Sequence, residues 1–91
     1  MRVIAEVVKE YILHHDGLDF TVKGRITKIK GNDGVYTYEW SISHYYKPSE
    51  HAGGVHVPSS RSSISLKEAE DSLFAYMEAF TNIGIKQNNF Y

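Results

Sequence analysis

Apolar residues come in pairs along the first part of the chain. The pairs Val3-Ile4, Val7-Val8 and Tyr11-Ile12 recur every four residues, a spacing that makes one stripe on a helix and no consistent face on a strand. The pattern therefore predicts a helix over residues 3–13, ending where Gly17 can adopt a left-handed conformation. Because β-branched residues are frequent here and favour strands, a first strand remains the alternative.

From residue 18 onwards the apolar positions alternate with polar ones. This period of two predicts a half-buried strand over residues 18–26. The segment Gly31-Asn32-Asp33-Gly34 contains residues that tolerate positive φ, so it predicts a tight hairpin turn. A second alternating strand is expected over residues 36–46, with Trp40 on its inward face, and Pro48 ends it because proline cannot continue a strand ladder.

The inward face of the first alternating strand shifts by one residue along its length. Its apolar residues are even-numbered up to Ile26, yet the next one is Ile29. A β-bulge near Thr27-Lys28 is therefore expected to keep both side chains facing the core. A turn centred on Asn32-Asp33 then places Ile29 opposite Tyr36. Beyond the bulge, the same pairing places Ile26 opposite Trp40, Gly24 opposite Ile42 and Val22 opposite His44.

The last third of the chain combines a loop, a helix and a tail. Residues 48–63 are rich in Gly, Ser and Pro, which predicts a mobile loop with a short edge strand at Val55-His56-Val57. Ser65-Leu66-Lys67-Glu68 is the sequence of a capping box, which predicts the start of a helix. The helix is expected to end near residues 82–84, leaving residues 85–91 as a tail. Apolar residues of helical period follow the cap: Leu66, Ala69, Leu73, Tyr76, Met77 and Phe80.

These elements together predict one two-layer α+β domain over residues 1–91. The expected order is helix, two long strands, a short strand and helix, with an antiparallel sheet and the C-terminal helix packed on one of its faces. A chain of 91 residues with 42% hydrophobic residues has enough apolar material for one core and not for two.

Charge and cysteine content narrow the classes of partner. Ten Lys and Arg residues against eleven Asp and Glu residues give a net charge of −1, so no overall field attracts nucleic acid or an anionic membrane. The chain has no cysteine, which excludes disulfides and thiolate metal sites and fits a reducing compartment. Glu6 interrupts the region where a secretory signal is apolar. A cytoplasmic protein that does not enter membranes is therefore expected.

No group of residues has the pattern of a catalytic, cofactor or metal site. His14-His15-Asp16 places potential ligands on adjacent residues, whose side chains point in different directions and seldom converge on one ion. The serines near residues 59–65 lack a recognisable His–Asp pair, and Gly53-Gly54 lacks the flanking residues of a phosphate-binding loop. His44 has the inward parity of its strand and is expected to hydrogen-bond there. The sequence therefore predicts a protein that is not an enzyme and uses no cofactor or metal.

The outward face of the predicted sheet is mildly basic. Lys23, Arg25 and Lys47 lie among hydroxyl side chains there, a mixture that contacts phosphate backbones, so weak nucleic-acid binding is the alternative function. The predicted element order resembles that of the double-stranded-RNA-binding domain. That family has lysines at the start of its final helix, where this chain has Lys67-Glu68-Ala69-Glu70-Asp71. These carboxylates would repel RNA, so the resemblance is one of element order alone.

Protein–protein contact is the function that the sequence favours. Tyr45, Phe90 and Tyr91 are aromatic residues that neither periodicity assigns to the core, and Arg61 is a cation among four serines. With Lys47 close to Tyr45, these five residues form the predicted partner-binding set. The sequence thus predicts a small accessory or regulatory interaction module that binds an unknown protein partner and leaves a homodimer open.

Overall fold

The protein folds around a four-stranded antiparallel sheet with one helix on one face. A computed structural model describes residues 4–58 and 60–91. The elements along the chain are β1 Ala5–Leu13, β2 Val22–Lys30, β3 Tyr36–Ile42, β4 His44–Tyr45, β5 Ser62–Ser63, α1 Leu66–Glu78 and β6 Lys86–Gln87. The four-stranded sheet has the strand order β1-β2-β3-β5, and a separate two-stranded pairing joins β4 to β6. The predicted α+β class, the antiparallel sheet and the C-terminal helix are confirmed.

The predicted first helix is wrong, because residues 5–13 form strand β1. The register between β1 and β2 shifts between Val7 and Lys9, so Val8 is the extra residue of a β-bulge. The bulge turns Val8 towards the same side as Tyr11, while Val7 stays on the side of Ile12. A bulged strand therefore produced the spacing of four that resembles a helical stripe; residue 3 lies outside the described residues.

The β-bulge predicted in the second segment is also wrong. Strands β2 and β3 pair in one regular register, and the predicted pairs Ile26 with Trp40 and Gly24 with Ile42 are confirmed. Ile29 pairs with Thr37 instead of Tyr36, so its side chain points to the opposite side of the sheet from Ile26. No bulge is needed in β2, because Ile29 does not belong to the inward face.

The predicted second strand is divided at Ser43. The Ser43 amide donates to the carbonyl of Lys23 at 2.8 Å, but the Ser43 carbonyl accepts from the amide of Asn88 at 2.8 Å. The Ser43 carbonyl is therefore not the acceptor for the Lys23 amide. That amide donates to the Ser43 hydroxyl oxygen instead, at 2.8 Å. The chain thus changes partner from β2 to the C-terminal segment, where His44 pairs with Gln87 instead of Val22.

The inner face of the sheet, the face that α1 covers, holds the core. Ser65 caps α1 by accepting from the Glu68 amide at 3.1 Å, as its sequence predicts, whereas the helix ends at Glu78, earlier than expected. Burial of Trp40 and of the helical stripe confirms the inward assignment. The buried apolar residues are Val22, Ile26, Trp40, Ile42, Tyr46, Ala69, Leu73, Tyr76, Met77 and Phe80.

The segment 48–63 returns to the sheet at two places. A short edge strand is present, but it is β5 at Ser62–Ser63 and not Val55-His56-Val57. The His56 amide donates to Tyr46 at 2.7 Å, and the His56 carbonyl accepts from the Tyr76 hydroxyl at 2.6 Å. These bonds tie the centre of the segment to the aromatic core, while its mobility stays a prediction.

Candidate interaction surface

The outer face of the sheet lies opposite α1 and consists of side chains of the other parity. In β2 these are the odd-numbered residues, and the register places Glu39 and Ser41 of β3 and Val7, Glu10 and Ile12 of β1 on the same side. Val7 is 51% exposed and Ile12 is 57% exposed. The β2 residues on this face are Lys23, Arg25, Thr27 and Ile29. A partner approaching this face would meet both apolar and charged groups.

Asn88 fastens the tail segment, residues 88–91, to the outer face. Its side chain is buried and donates to the Ile42 carbonyl at 2.9 Å. The side-chain oxygen accepts from the Phe90 amide at 3.0 Å, which turns the chain back over the sheet. Asn88 therefore satisfies main-chain groups on the sheet and in the tail segment at once.

Tyr91 makes the second attachment of the tail segment. The Arg25 guanidinium donates to the main-chain oxygen of Tyr91 at 2.8 Å, and its central carbon lies 4.2 Å from the centre of the Tyr91 ring. Such an arrangement combines a charge-assisted hydrogen bond with a cation–π contact. Burial raises the pKa of Tyr91, which the Arg25 charge opposes and the Glu10 carboxylate reinforces.

Between these two attachments, Phe90 projects into solvent. It is 97% exposed, although the residues on either side of the pair Asn89-Phe90 are held to the sheet. An aromatic side chain that is exposed on a fixed backbone has already lost much of the backbone freedom that binding would otherwise remove. Phe90 is therefore an exposed aromatic residue on a backbone that is attached on both sides.

A pocket of about 290 Å³ opens beside Phe90. Its wall is polar and apolar in about equal parts, and it contains two cations, Arg25 and Arg61, and one anion, Glu39. The remaining lining residues are Thr27, Ile29, Ser41, Asn88 and Phe90. The ion pair found within residues 4–58 and 60–91 joins Lys67 to Asp71 on α1, so the charges of this pocket are not paired with one another. Arg25 is held by Tyr91 instead, whereas the side chains of Arg61 and Glu39 face the pocket.

The structure brings together three of the five residues predicted to bind a partner. Arg61 and Phe90 line the pocket and Tyr91 lies against Arg25, which belonged to the alternative nucleic-acid set. Tyr45 packs partly against the core from β4. Lys47 packs beside residues 81–83, which follow α1 in the chain. Its amide donates to the Ile83 carbonyl, and its carbonyl accepts from the Thr81 hydroxyl.

Of the predicted basic set, only Lys23 and Arg25 share a face. They are two residues apart in β2 on the outer side, and Lys47 is separated from them. Two further cations of β2, Lys28 and Lys30, have the inner parity and lie at the hairpin end, where the Lys28 ammonium is 4.2 Å from the Tyr36 ring centre. The basic residues of β2 are thus divided between the two faces.

Sequence reasoning missed Asn88, and it did not single out Ser43 and Glu39 as site residues. Asn88 lies in the polar run Lys86-Gln87-Asn88-Asn89, where nothing in the sequence distinguishes a buried amide from an exposed one. Ser43 and Glu39 have the outward parity of the predicted strand, so the parity did assign them to this face. The sequence does place Asn88 two residues before Phe90, a spacing at which an Asn side chain can accept a hydrogen bond from the backbone amide that follows it.

The histidines do not form a site in the described part of the chain. His44 stacks on Phe20 with ring centres 4.6 Å apart and hydrogen-bonds the Ser43 hydroxyl at 2.8 Å, and burial lowers its pKa. His15 bonds the carbonyl of Asp16. Within residues 4–58 and 60–91, no three or more His, Asp or Glu side chains are grouped so that they could hold a metal ion.

Comparisons with family models, curated proteins and solved structures gave no match for this chain. Nor does the described part of the chain contain a helix that is both long and apolar enough to cross a membrane.

Proposed function

We propose that this protein is a non-enzymatic interaction module that binds a partner protein through its outer face. The observation that carries the proposal is Phe90, which is 97% exposed between two residues that are fastened to the sheet. The absence of cysteine supports a role in the cytoplasm, whose thiols are kept reduced.

Aromatic and arginine side chains are the residues most enriched in protein interfaces, and they dominate the binding energy there. The outer face offers Phe90 together with Arg25 and Arg61. Exposed Val7 and Ile12 add apolar area on β1, which pairs with the strand that carries Arg25. The centre of the inner face is covered by α1, and its open part lies at the hairpin end beside Tyr36. On the outer face a partner can bury area without unfolding the core.

Quantitative co-purification tests the proposal. Tagged wild-type protein is compared with Phe90→Ala and Arg61→Ala, and Val57→Ala serves as the control because Val57 is also exposed and follows His56 on the helix side. We expect one set of proteins to be lost with both outer-face variants and retained with the control. Equal recovery with all variants would remove the outer face as the binding surface.

Weak nucleic-acid binding remains the second candidate, because Lys23 and Arg25 lie side by side on the outer face. Phosphate contacts are screened by salt, so affinity for generic DNA or RNA should fall steeply as salt rises. Lys23→Ala is the informative variant and Lys67→Ala, on the far side of the protein, is its control. Absence of binding at low salt rejects this function and leaves the first proposal untouched.

A further inference from the structure

The outer face carries both an exposed ring and a pocket of suitable size beside it. A cavity of about 150 Å³ is large enough to bind benzene, and the pocket next to Phe90 measures about 290 Å³. Phe90 lines its own pocket at the rim and points into solvent, so it does not fill it. The ring of another molecule can enter, with the guanidinium group of Arg61 in the wall of the pocket to contact its face.

Arg61 and Glu39, the two charged residues of the pocket that Tyr91 does not hold, are complementary to the same two residues of an identical pocket. Arg61 and Glu39 line the same cavity without forming an ion pair there. In an isologous dimer, a contact between one residue of the first copy and a different residue of the second copy is repeated with the copies exchanged. Arg61 of each copy can therefore contact Glu39 of the other, and the contact occurs twice. A partner of one sign only would leave either Arg61 or Glu39 facing a like charge, which is unfavourable.

We propose that the partner of the outer face is a second copy of this chain, bound face to face about a two-fold axis. Phe90 of each copy enters the pocket of the other, and Arg61 of each copy pairs with Glu39 across the axis. This inference rests on the proposed function, since it uses the same surface and names its occupant.

The dimensions of the protein are sufficient for such a dimer. The molecule measures 44 × 24 × 23 Å, so its broad side can supply the roughly 800 Å² per partner that a standard interface buries. Exposed Val7 and Ile12 lie on the same face and extend the apolar part of the contact. The tail segment is fixed before association, which reduces the loss of entropy on dimerisation.

Sedimentation equilibrium on the whole chain tests the dimer at concentrations from about 1 μM to 1 mM. We expect a reversible monomer–dimer equilibrium in the wild type. Phe90→Ala should raise the dissociation constant about 30-fold or more, the effect typical of removing a central aromatic anchor, whereas Val57→Ala should leave it unchanged. A wild type that stays monomeric up to the highest concentration overturns the inference.

A charge exchange tests the geometry. Arg61→Glu places like charges at both cross-axis contacts, and so does Glu39→Arg, so each variant alone is expected to be monomeric. An equimolar mixture of the two restores opposite charges at both contacts and should form a heterodimer of wild-type strength. If the mixture stays monomeric although the wild type dimerises, the pairing of Arg61 with Glu39 is wrong.

These outcomes separate the inference from the proposed function. A monomeric wild type whose co-purified proteins are still lost with Phe90→Ala rejects the second copy and supports a different protein on the same face. A dimer that survives both Phe90→Ala and Arg61→Glu places self-association elsewhere on the molecule and overturns the inference as well.

Discussion

The two faces of the sheet are covered by different means. On the inner face, α1 packs apolar side chains against Ile26, Trp40 and Ile42, all of them buried. On the outer face, the tail segment is attached through polar contacts, the Asn88 amide bonds and the Arg25 contact with Tyr91. Hydrophobic burial is strong and non-directional, whereas hydrogen bonds contribute little net stability but fix geometry.

On the proposed function, this difference assigns the stability of the protein to the inner face and partner binding to the outer face. The inner face buries its central apolar side chains under α1, and its hairpin end stays open, with Tyr36 43% exposed. The outer face is held in a defined arrangement by directional bonds, and it keeps Phe90 and the side chains of Arg61 and Glu39 available. Substitutions on the inner face should therefore change global stability, and those on the outer face should change mainly the tail segment and binding.

Trp40→Ala should cause the largest loss of stability. The indole is 4% exposed and its ring centre lies 5.6 Å from that of Tyr76 on α1. Removing a large buried ring leaves a cavity, and the expected cost is about 3 to 5 kcal/mol. Urea unfolding followed by far-ultraviolet circular dichroism measures it, with Tyr36→Ala as the partly exposed control. A loss no larger than that of the control would contradict the inner-face packing.

Gly24→Ala should come next, because the helix lies directly over this glycine. An added Cβ would be 2.7 Å from the Met77 Cε atom and 2.8 Å from a Leu73 Cδ atom, both of them buried side chains of α1. Overpacking of this kind costs about 1 to 3 kcal/mol. Gly53→Ala is the matched control, since its Cβ would meet nothing within 4 Å. Equal unfolding midpoints for the two variants would show that α1 can move away at no cost.

Asn88→Ala should affect the outer face alone. It removes the bonds to the Ile42 carbonyl and from the Phe90 amide, each worth about 1 kcal/mol or more when the remaining partner stays buried. The tail segment can leave the sheet and expose these groups to water, so the global loss should stay below that of Gly24→Ala. Hydrogen exchange should speed up at residues 86–91 and not in β2; Asn89→Ala, an exposed neighbour, is the control.

The inner face could be predicted from the sequence, because burial on one side imposes a regular period. Trp40, Ile42 and the helical stripe followed it, and the pairing of Gly24 with Ile42 was correct. The first strand could not be recognised, since the extra residue Val8 moves the apolar positions out of a period of two. The apolar spacing alone does not distinguish such a bulge from a helical stripe; the β-branched residues of the segment were the signal that favoured the strand.

The candidate site was predictable only in part. Arg61, Phe90 and Tyr91 were identified as residues without a place in the core, and the structure groups them near Arg25. Their grouping depends on two long-range hydrogen bonds. The Asn88 side chain donates to the Ile42 carbonyl, and the Asn88 amide donates to the Ser43 carbonyl, where the chain changes partner. Hydrogen bonds between residues far apart in the chain leave no periodic pattern, so neither the tail contact nor the separation of Lys47 could be foreseen.

Tyr91→Phe should have the smallest effect, and its sign is informative. The Tyr91 hydroxyl oxygen is buried and has no hydrogen-bond partner among the described residues. Phenylalanine at this position keeps the aromatic ring against Arg25, and the main-chain oxygen still accepts from the Arg25 guanidinium. Removing a buried polar group that has no partner is neutral or slightly stabilising, so we expect the free energy of unfolding to rise by roughly 1 kcal/mol or less. A destabilised variant would show that the hydroxyl does have a partner in solution, and Glu10, whose charge raises the Tyr91 pKa, is the nearest acidic candidate on this face.

The pH dependence of hydrogen exchange in the wild type and in Tyr91→Phe tests the burial of Tyr91 independently. Because burial raises the pKa of Tyr91 above its ordinary value of 10.0, the folded protein holds the phenol proton more tightly than the unfolded chain does. This contribution to stability is complete below pH 10 and is lost as the pH rises above it. Tyr91→Phe removes the contribution, so the protection of residues 88–91 from hydrogen exchange should fall less between pH 9 and 11 in the variant than in the wild type. Tyr36→Phe, which alters a more exposed hydroxyl at the hairpin end, is the control and should leave that difference unchanged. Identical pH profiles in Tyr91→Phe and the wild type would show that the ring leaves its site over Arg25 before it ionises, and the tail segment would then be held by Asn88 alone.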